Sequence, residues 1–162
     1  IYIEIPVSPV TPVTGKEIRL RMSKAKDYLS QVKKKAKAVQ EQKELIQRLR
    51  DSLDLAGVQY DKDRVQSTPD TDKFGRIFAE IEEQEKVLEE KRTAFMEFRI
   101  LVIYQIRKIP NAQFREVLNR VYVDFLNIKQ CSEEMNYSYI YVRELHLKAL
   151  NAFERMYPQL LA

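Results

Sequence analysis

The chain has 162 residues, a length that allows one domain or two small ones. Apolar residues make up 44% and charged residues 32%, with three glycines and no tryptophan, a composition typical of long helices. No apolar run is long enough to predict a transmembrane helix. The single cysteine, Cys131, excludes an internal disulfide and agrees with a cytoplasmic location. A net charge of +4 permits nucleic acid as a partner without requiring it.

The distribution of charge is more informative than the total. Residues 22–50 contain nine Lys/Arg and three Asp/Glu, whereas residues 70–92 contain five and eight. Residues 112–162 contain six of each and are neutral. The basic surface is therefore expected in the N-terminal half of the folded chain.

Residues 1–21 differ in character from the rest. They contain three prolines at a spacing of three, which favours an extended or polyproline II backbone: Pro6, Pro9 and Pro12. Met22 opens MSKAKDYLSQ, which resembles a natural start. We therefore expect residues 1–21 to be an extended segment that is either non-native or disordered. An edge strand at residues 1–5 is the alternative.

Residues 23–56 are predicted to form the first helix. Mostly apolar positions recur there at steps of three and four and define one face: Leu29, Val32, Ala36, Val39, Gln42, Ile46, Leu49, Leu53 and Ala56. Gly57 is predicted to end this helix, and residues 57–70 are predicted to form a polar connection. Thr68, Pro69 and Asp70 favour entry into the next helix.

The second helix is predicted at residues 70–109, with a heptad pattern: Phe74, Ile77, Ile81, Gln84, Leu88, Lys91, Phe95, Phe98, Val102, Gln105 and Ile109. Antiparallel pairing with the first helix would bring three basic residues near four acidic ones, so residues 22–109 are predicted to form a helical hairpin: Lys43, Arg48 and Arg50, and Glu80, Glu82, Glu83 and Glu85. Residues 95–109 are apolar on every side, so either the C-terminal helices or a second copy of the chain should cover them, and we expect a homodimer.

Residues 110–162 are predicted to form three shorter helices. Pro110 ends the second helix and Asn111 can cap the next one. The predicted helices span residues 112–124, 127–135 and 138–156. Asn136 tolerates a left-handed backbone and can close the fourth helix, and Ser138 can cap the fifth. Two short helices joined by a tight turn form a helix-turn-helix, whose second helix fits the major groove of DNA.

This pattern resembles region 4 of sigma-70-type factors and LuxR-like regulators. The shared form is L-S-x-x-E-I-A-x-x-L-G-I-S-x-x-T-V-K-x-R-x-x-R-A-L, and six positions match it in type: Leu126, Met135, Ser138, Val142, Ala149 and Leu150. Gln130, Ser132 and Leu145 depart from it, and Asn136 stands where it has glycine. The preceding RVYVDF, residues 120–125, resembles the R-Y-x-x-G that ends the upstream helix in this pattern, with Phe125 in place of glycine. Taken whole, the chain resembles phage and prophage regulators of the ArpU/RinA kind.

The resemblance implies that the fifth helix contacts bases near its start. The candidates for base contacts are Tyr139, Ile140, Arg143 and Glu144, because Arg can bind guanine, Glu can accept from cytosine and Ile can contact the thymine methyl. The candidates for phosphate contacts are Asn127, Lys129, Ser138, Tyr141 and Lys148. The lysines of residues 33–37 are a further candidate for the DNA backbone, with a solvated outer face as the alternative.

Catalysis and metal binding have no pattern to support them. His146 is the only histidine, and a lone histidine is more often a packed or surface residue than a catalyst. Cys131 stands at a core position, and one His with one Cys does not make a zinc site. We expect no enzyme activity, no cofactor and no metal.

The sequence therefore predicts an all-α fold, a coiled-coil-like hairpin followed by a helix-turn-helix unit at residues 110–162. The expected function is sequence-specific binding of double-stranded DNA by a phage-type transcriptional regulator, with no membrane partner. Two alternatives remain open: a structural or adaptor coiled-coil protein, and a sigma-like module that docks on RNA polymerase.

Overall fold

The computed structural model describes the backbone of residues 15–62 and 71–160, and the side chains of residues 24–55 and 74–160. Within these ranges the chain is all-helical and has no strand, which confirms the predicted fold class. The α-helices are α1 (Gly15–Lys62), α2 (Thr71–Arg107), α3 (Ala112–Leu118), α4 (Ile128–Met135) and α5 (Tyr139–Met156). A short π-helix, Asn119–Val123, follows α3, and a 3₁₀ turn, Pro158–Leu160, follows α5.

Helix α1 is longer than the predicted span of residues 23–56. It begins at Gly15, so residues 15–21 are helical and not extended, whereas residues 1–14 lie outside the described residues. It also continues past Gly57 to Lys62, into the predicted connection. A single glycine costs a helix only about 1 kcal/mol relative to alanine, which neighbouring residues can offset. Residues 63–70, the rest of that connection, also lie outside the described residues.

Helices α1 and α2 pack side by side in opposite directions. Near one end Arg50 pairs with Glu85 at 2.5 Å, in the region where the predicted hairpin brings basic and acidic residues together. Further along, the buried Gln42 donates to Gln84 Oε1 at 2.6 Å and accepts from Lys91 Nζ at 2.7 Å. At the other end the hydroxyl of Tyr28 lies 3.1 Å from Oε1 of Gln105. Because these polar contacts need matched partners, they favour one register of the two helices.

The inner face of α2 follows the predicted heptad, since all eleven of its positions are buried or half-buried. The apolar stretch at its C-terminal end divides between two sides. Val102, Ile106 and Ile109 are buried, whereas Ile100 and Tyr104 are exposed. The core therefore covers one side of this stretch.

The main core lies where the first part of α1, the last part of α2 and helices α3–α5 meet. Its buried residues come from every α-helix: Ala25, Leu29, Val32, Val102, Ile106, Ile109, Val117, Leu118, Tyr122, Val123, Cys131, Val142, Leu145, Ala149, Leu150 and Phe153. The Tyr28 ring stands 6.0 Å from that of Phe153, which joins α1 to α5. A single cluster of buried side chains therefore packs against the inner side of α5.

The helix predicted at residues 112–124 changes form at Asn119. Residues Ala112–Leu118 are α-helical, with the predicted cap at Asn111, and residues Asn119–Val123 form the π-helix. Val117 and Leu118 are buried, and so are Tyr122 and Val123, five residues later. An i→i+5 helix keeps residues with that spacing closer to one face than an α-helix does. Burial of both pairs therefore accounts for the wider turn.

Candidate nucleic-acid interface

The junction between α4 and α5 is a tight turn with a defined cap on each helix. Asn127 and Gln130 form a reciprocal capping box at the start of α4, with both hydrogen bonds 2.9 Å long. Asn136 ends α4 with a left-handed backbone, φ 56° and ψ 39°. The side chain of Ser138 then accepts a hydrogen bond from the Tyr141 amide at 3.2 Å and starts α5. Both local predictions, the left-handed Asn136 and the Ser138 cap, are confirmed.

One side of α5 is anchored in the core. Val142, Leu145, Ala149 and Phe153, the predicted inner stripe, are each at most 5% exposed. Leu150 joins them at 2%. Because these positions recur at steps of three and four, they hold a single face of α5 inward and fix which side chains turn outward.

The outward side of α5 carries the four predicted base-contact residues. Ile140 is 69% exposed and Tyr139 is 51% exposed, and Arg143 and Glu144 are exposed as well. Arg143 makes no ion pair with any described side chain. Leu147, which is 40% exposed, was not among the predicted base-contact residues. Its spacing of seven from Ile140 is the signal that places it on the same face.

We call this row the reading face: Ile140, Arg143, Glu144 and Leu147. It runs from the tight turn to the middle of α5, about 10 Å along the helix axis. That length matches about three base pairs at a rise of 3.4 Å each. The row combines one cation, one anion and two apolar side chains, a mixture suited to contacts with base edges.

The five predicted phosphate-contact residues divide into two groups. The lysines Lys129 and Lys148 are exposed, and no ion pair holds them within the described side chains. The side-chain oxygens of Asn127 and Ser138 already accept cap hydrogen bonds, so these residues have donors left to offer. Tyr141 places its hydroxyl 3.4 Å from Gln113 Oε1.

A small aromatic cluster borders the turn. The Tyr137 and Tyr141 rings lie 4.9 Å apart, and the side chain of Gln113 on α3 reaches the hydroxyl groups of both tyrosines. Tyr137 is 43% and Tyr141 41% exposed. This cluster links α3 to the start of α5, and sequence reasoning did not find it because its members lie 24 to 28 residues apart in the chain.

Some of the charged side chains near the reading face form ion pairs with each other. On the side of α3 and α4, Arg120 bridges Glu116 at 3.0 Å and also pairs with Glu134. On α1, Lys26, Lys33 and Lys37 recur at steps of seven and four and are all exposed. Two residues after Lys26, the Tyr28 ring packs against Phe153 of α5, so this lysine row begins near α5. We call Lys26, Lys33 and Lys37 the α1 lysine row.

The side chain of His146 is half-buried and packs against its neighbours. A packed or surface position was the expectation for a lone histidine. Its Nε2 lies 3.0 Å from the hydroxyl of Tyr122, and the two rings stack. Burial, helped by the positive charge of Lys26, lowers the pKa of His146 to about 4. Cys131 is fully buried as predicted, and burial raises the pKa of its thiol. Neither group is presented to a substrate.

Metal-binding groups and membrane-spanning helices are not found in the part of the chain that the structure describes. No three His, Cys, Asp or Glu side chains there gather closely enough to hold a metal ion. The described helices include none whose length and apolar character would let it cross a bilayer. No family model, curated protein or solved structure matches the chain.

Proposed function

We propose that this chain is a sequence-specific DNA-binding transcriptional regulator, in which residues 110–162 act as a helix-turn-helix unit and α5 enters the major groove. The observation that carries the proposal is the reading face, which projects from α5 directly after the tight turn at Asn136. The opposite side of α5, the inner stripe that includes Val142 and Phe153, is buried in the core. A helix supported in this way offers its first turns to base edges.

The backbone supports the resemblance to sigma region 4 at the two positions where that pattern has glycine. Within the described residues, two non-glycine residues have positive φ: Phe125 at 61° and Asn136 at 56°. Glycine adopts this conformation without steric cost. The coincidence of backbone and pattern at both positions supports the proposed unit more strongly than matched apolar residues do, because apolar matches are common in any helix.

The reading face has the chemistry for a mixed base sequence. The guanidinium of Arg143 suits O6 and N7 of guanine, and Glu144 suits the amino group of cytosine. Ile140 and Leu147 suit thymine methyl groups. The α1 lysine row supplies positive charge next to a C-terminal unit that is neutral overall. Since phosphate neutralisation provides most non-specific affinity, we infer that α1 contributes to the strength of binding and α5 to its specificity.

The test is selection of bound fragments from random DNA at fixed salt, followed by affinity measurements on the selected site. Arg143→Ala should weaken that site by about 10- to 100-fold and relax one base position, because a bidentate Arg–guanine contact contributes about 1–3 kcal/mol. Arg155→Ala is the matched control, since Arg155 is exposed on the last turn of the same helix. Equal affinity of the two variants for the selected site would exclude α5 as the reader.

A second candidate function is docking on a protein such as RNA polymerase. The observation that favours it is the apolar and aromatic character of the surface around the turn, where Tyr137, Tyr139 and Tyr141 are each more than 40% exposed. Tyrosine is enriched in protein interfaces. Capture of purified polymerase in the absence of DNA, lost in Tyr139→Ala, would favour this function. An adaptor role of the long α1–α2 pair would instead leave both DNA and polymerase unbound.

A further inference from the structure

Helix α2 bears an exposed apolar strip that nothing in the chain covers within the described residues. We call Met96, Ile100, Leu101 and Tyr104 the α2 strip; they are 48%, 62%, 46% and 57% exposed. Each residue advances an α-helix by about 100°. Ile100 and Tyr104 therefore lie opposite Val102 and Ile106, which are fully buried. The strip faces away from α1 and from the main core.

The two ends of the strip carry opposite charges. Glu89 and Glu90 precede it, and Arg107 and Lys108 follow it, all exposed. Glu89 has a partner in Arg92 at 3.7 Å, and the Lys108 ammonium lies 4.5 Å from the centre of the Tyr104 ring. Glu90 and Arg107 take part in no ion pair among the described side chains. They are about 25 Å apart along the axis.

We propose that the α2 strip binds the same strip of a second copy of this chain, with the two α2 helices antiparallel. A two-fold axis between Phe98 and Arg99 places Met96 opposite Leu101 and Thr93 opposite Tyr104. The same axis places Glu90 opposite Arg107 and Glu89 opposite Lys108. The same axis places Ile100 opposite Glu97, which is also exposed. The register therefore joins Met96 to Leu101 at the centre and pairs acids with bases at both ends.

Charge complementarity selects the second copy as the occupant. A two-fold interface requires a surface that complements itself, and an apolar centre with one acidic and one basic end meets that requirement in the antiparallel sense only. Parallel pairing would bring Glu90 against Glu90 and Arg107 against Arg107, which is unfavourable. This inference deepens the proposed function, since a dimer presents two reading faces. Its test contains no DNA, so the two proposals can fail separately.

The experiment is sedimentation velocity of the full chain over a range of concentrations without nucleic acid. We expect the wild-type chain to form a dimer and Ile100→Glu to weaken it by more than about tenfold, because two carboxylates would lie near the centre of the interface. Phe78→Glu is the matched control: Phe78 is 59% exposed on the same helix, outside the strip. A monomeric wild-type chain, or equal loss in both variants, would overturn the proposal.

Charge reversal tests the antiparallel register and does not depend on the Ile100 variant folding. Glu90→Arg and Arg107→Glu should each weaken the dimer by about fivefold, because each disrupts two symmetry-related surface pairs. The double variant should restore the wild-type dissociation constant. Additive weakening in the double variant would exclude this register. Far-UV circular dichroism on every variant separates loss of the dimer from loss of the fold.

Discussion

At the scale of single residues, the environment of His146 gives the chain a defined response to acid. The Nε2 atom of His146 lies 3.0 Å from the hydroxyl of Tyr122, the charge of Lys26 disfavours protonation of the ring, and the charge of Asp27 acts on Tyr122. Burial and the Lys26 charge both disfavour the imidazolium, so the pKa of His146 is lowered to about 4 from an ordinary value of 6.5. Between about pH 4 and pH 6.5, His146 is therefore mostly neutral in the folded chain and mostly protonated in the unfolded chain.

Stability should therefore fall as pH decreases from 6.5 towards 4. In this window the unfolded state binds a proton that the folded state does not, so the free energy of unfolding decreases by up to about 3 kcal/mol. This contribution fades above pH 6.5 and is small by about pH 7.5, where His146 is mostly neutral in the unfolded state as well. Urea unfolding at pH 7.5, 6.5 and 5.5 measures the slope, and His146→Gln, which cannot be protonated, should reduce it. An unchanged slope in the variant would assign the acid response to other groups.

Residue burial was partly predictable from the sequence. Cys131 and the inner stripe of α5 follow from helical spacing, because a periodic apolar pattern defines a face. The partner of His146 was not predictable, since Tyr122 lies 24 residues away on the π-helix. Tyr122 reaches that position because of the change in helical form at Asn119, and no residue type in the sequence indicates such a change.

At the scale of elements, the turn between α4 and α5 depends on the backbone of Asn136. A left-handed residue costs most L-amino acids about 1–2 kcal/mol, and asparagine and glycine much less. We expect Asn136→Val to lower the free energy of unfolding by about 1–2 kcal/mol, whereas Asn136→Gly should change it by less than about 1 kcal/mol. Urea unfolding at neutral pH measures both. Equal effects of the two substitutions would contradict a left-handed backbone at this position.

Element boundaries differed in how well the sequence predicted them. The caps at Asn111, Asn127 and Ser138 fix the starts of α3, α4 and α5 to within one residue, because each is a specific hydrogen bond from a side chain to a nearby amide. Gly57 did not end α1, since a glycine weakens a helix without removing any of its hydrogen bonds. Caps were therefore better boundary signals than a lone glycine.

At the scale of the whole molecule, the heptad predicted which side of α2 packs inward, but it could not show how far the core extends around that helix. In a helix of this sequence, the apolar residues between positions 95 and 109 would lie on every side. The folded chain covers Val102 and Ile106 and leaves Ile100 and Tyr104 exposed. Only the positions of α1 and of helices α3–α5 decide that division, and those depend on contacts distant in sequence. The α2 strip is thus a property of the assembled fold.

If the chain forms the proposed dimer and reads DNA as proposed, the form of the DNA site follows. Two copies related by a two-fold axis present two α5 helices in opposite orientations, so the selected DNA should contain an inverted repeat with half-sites about one helical turn, or a multiple of it, apart. Random-sequence selection with Ile100→Glu should instead recover single half-sites bound with lower affinity, while selection with Phe78→Glu should recover the full repeat. The spacing and symmetry of the recovered sequences provide the measurement. Direct repeats from the wild-type chain would contradict a two-fold arrangement and leave the reading face of each copy to be tested by Arg143→Ala alone.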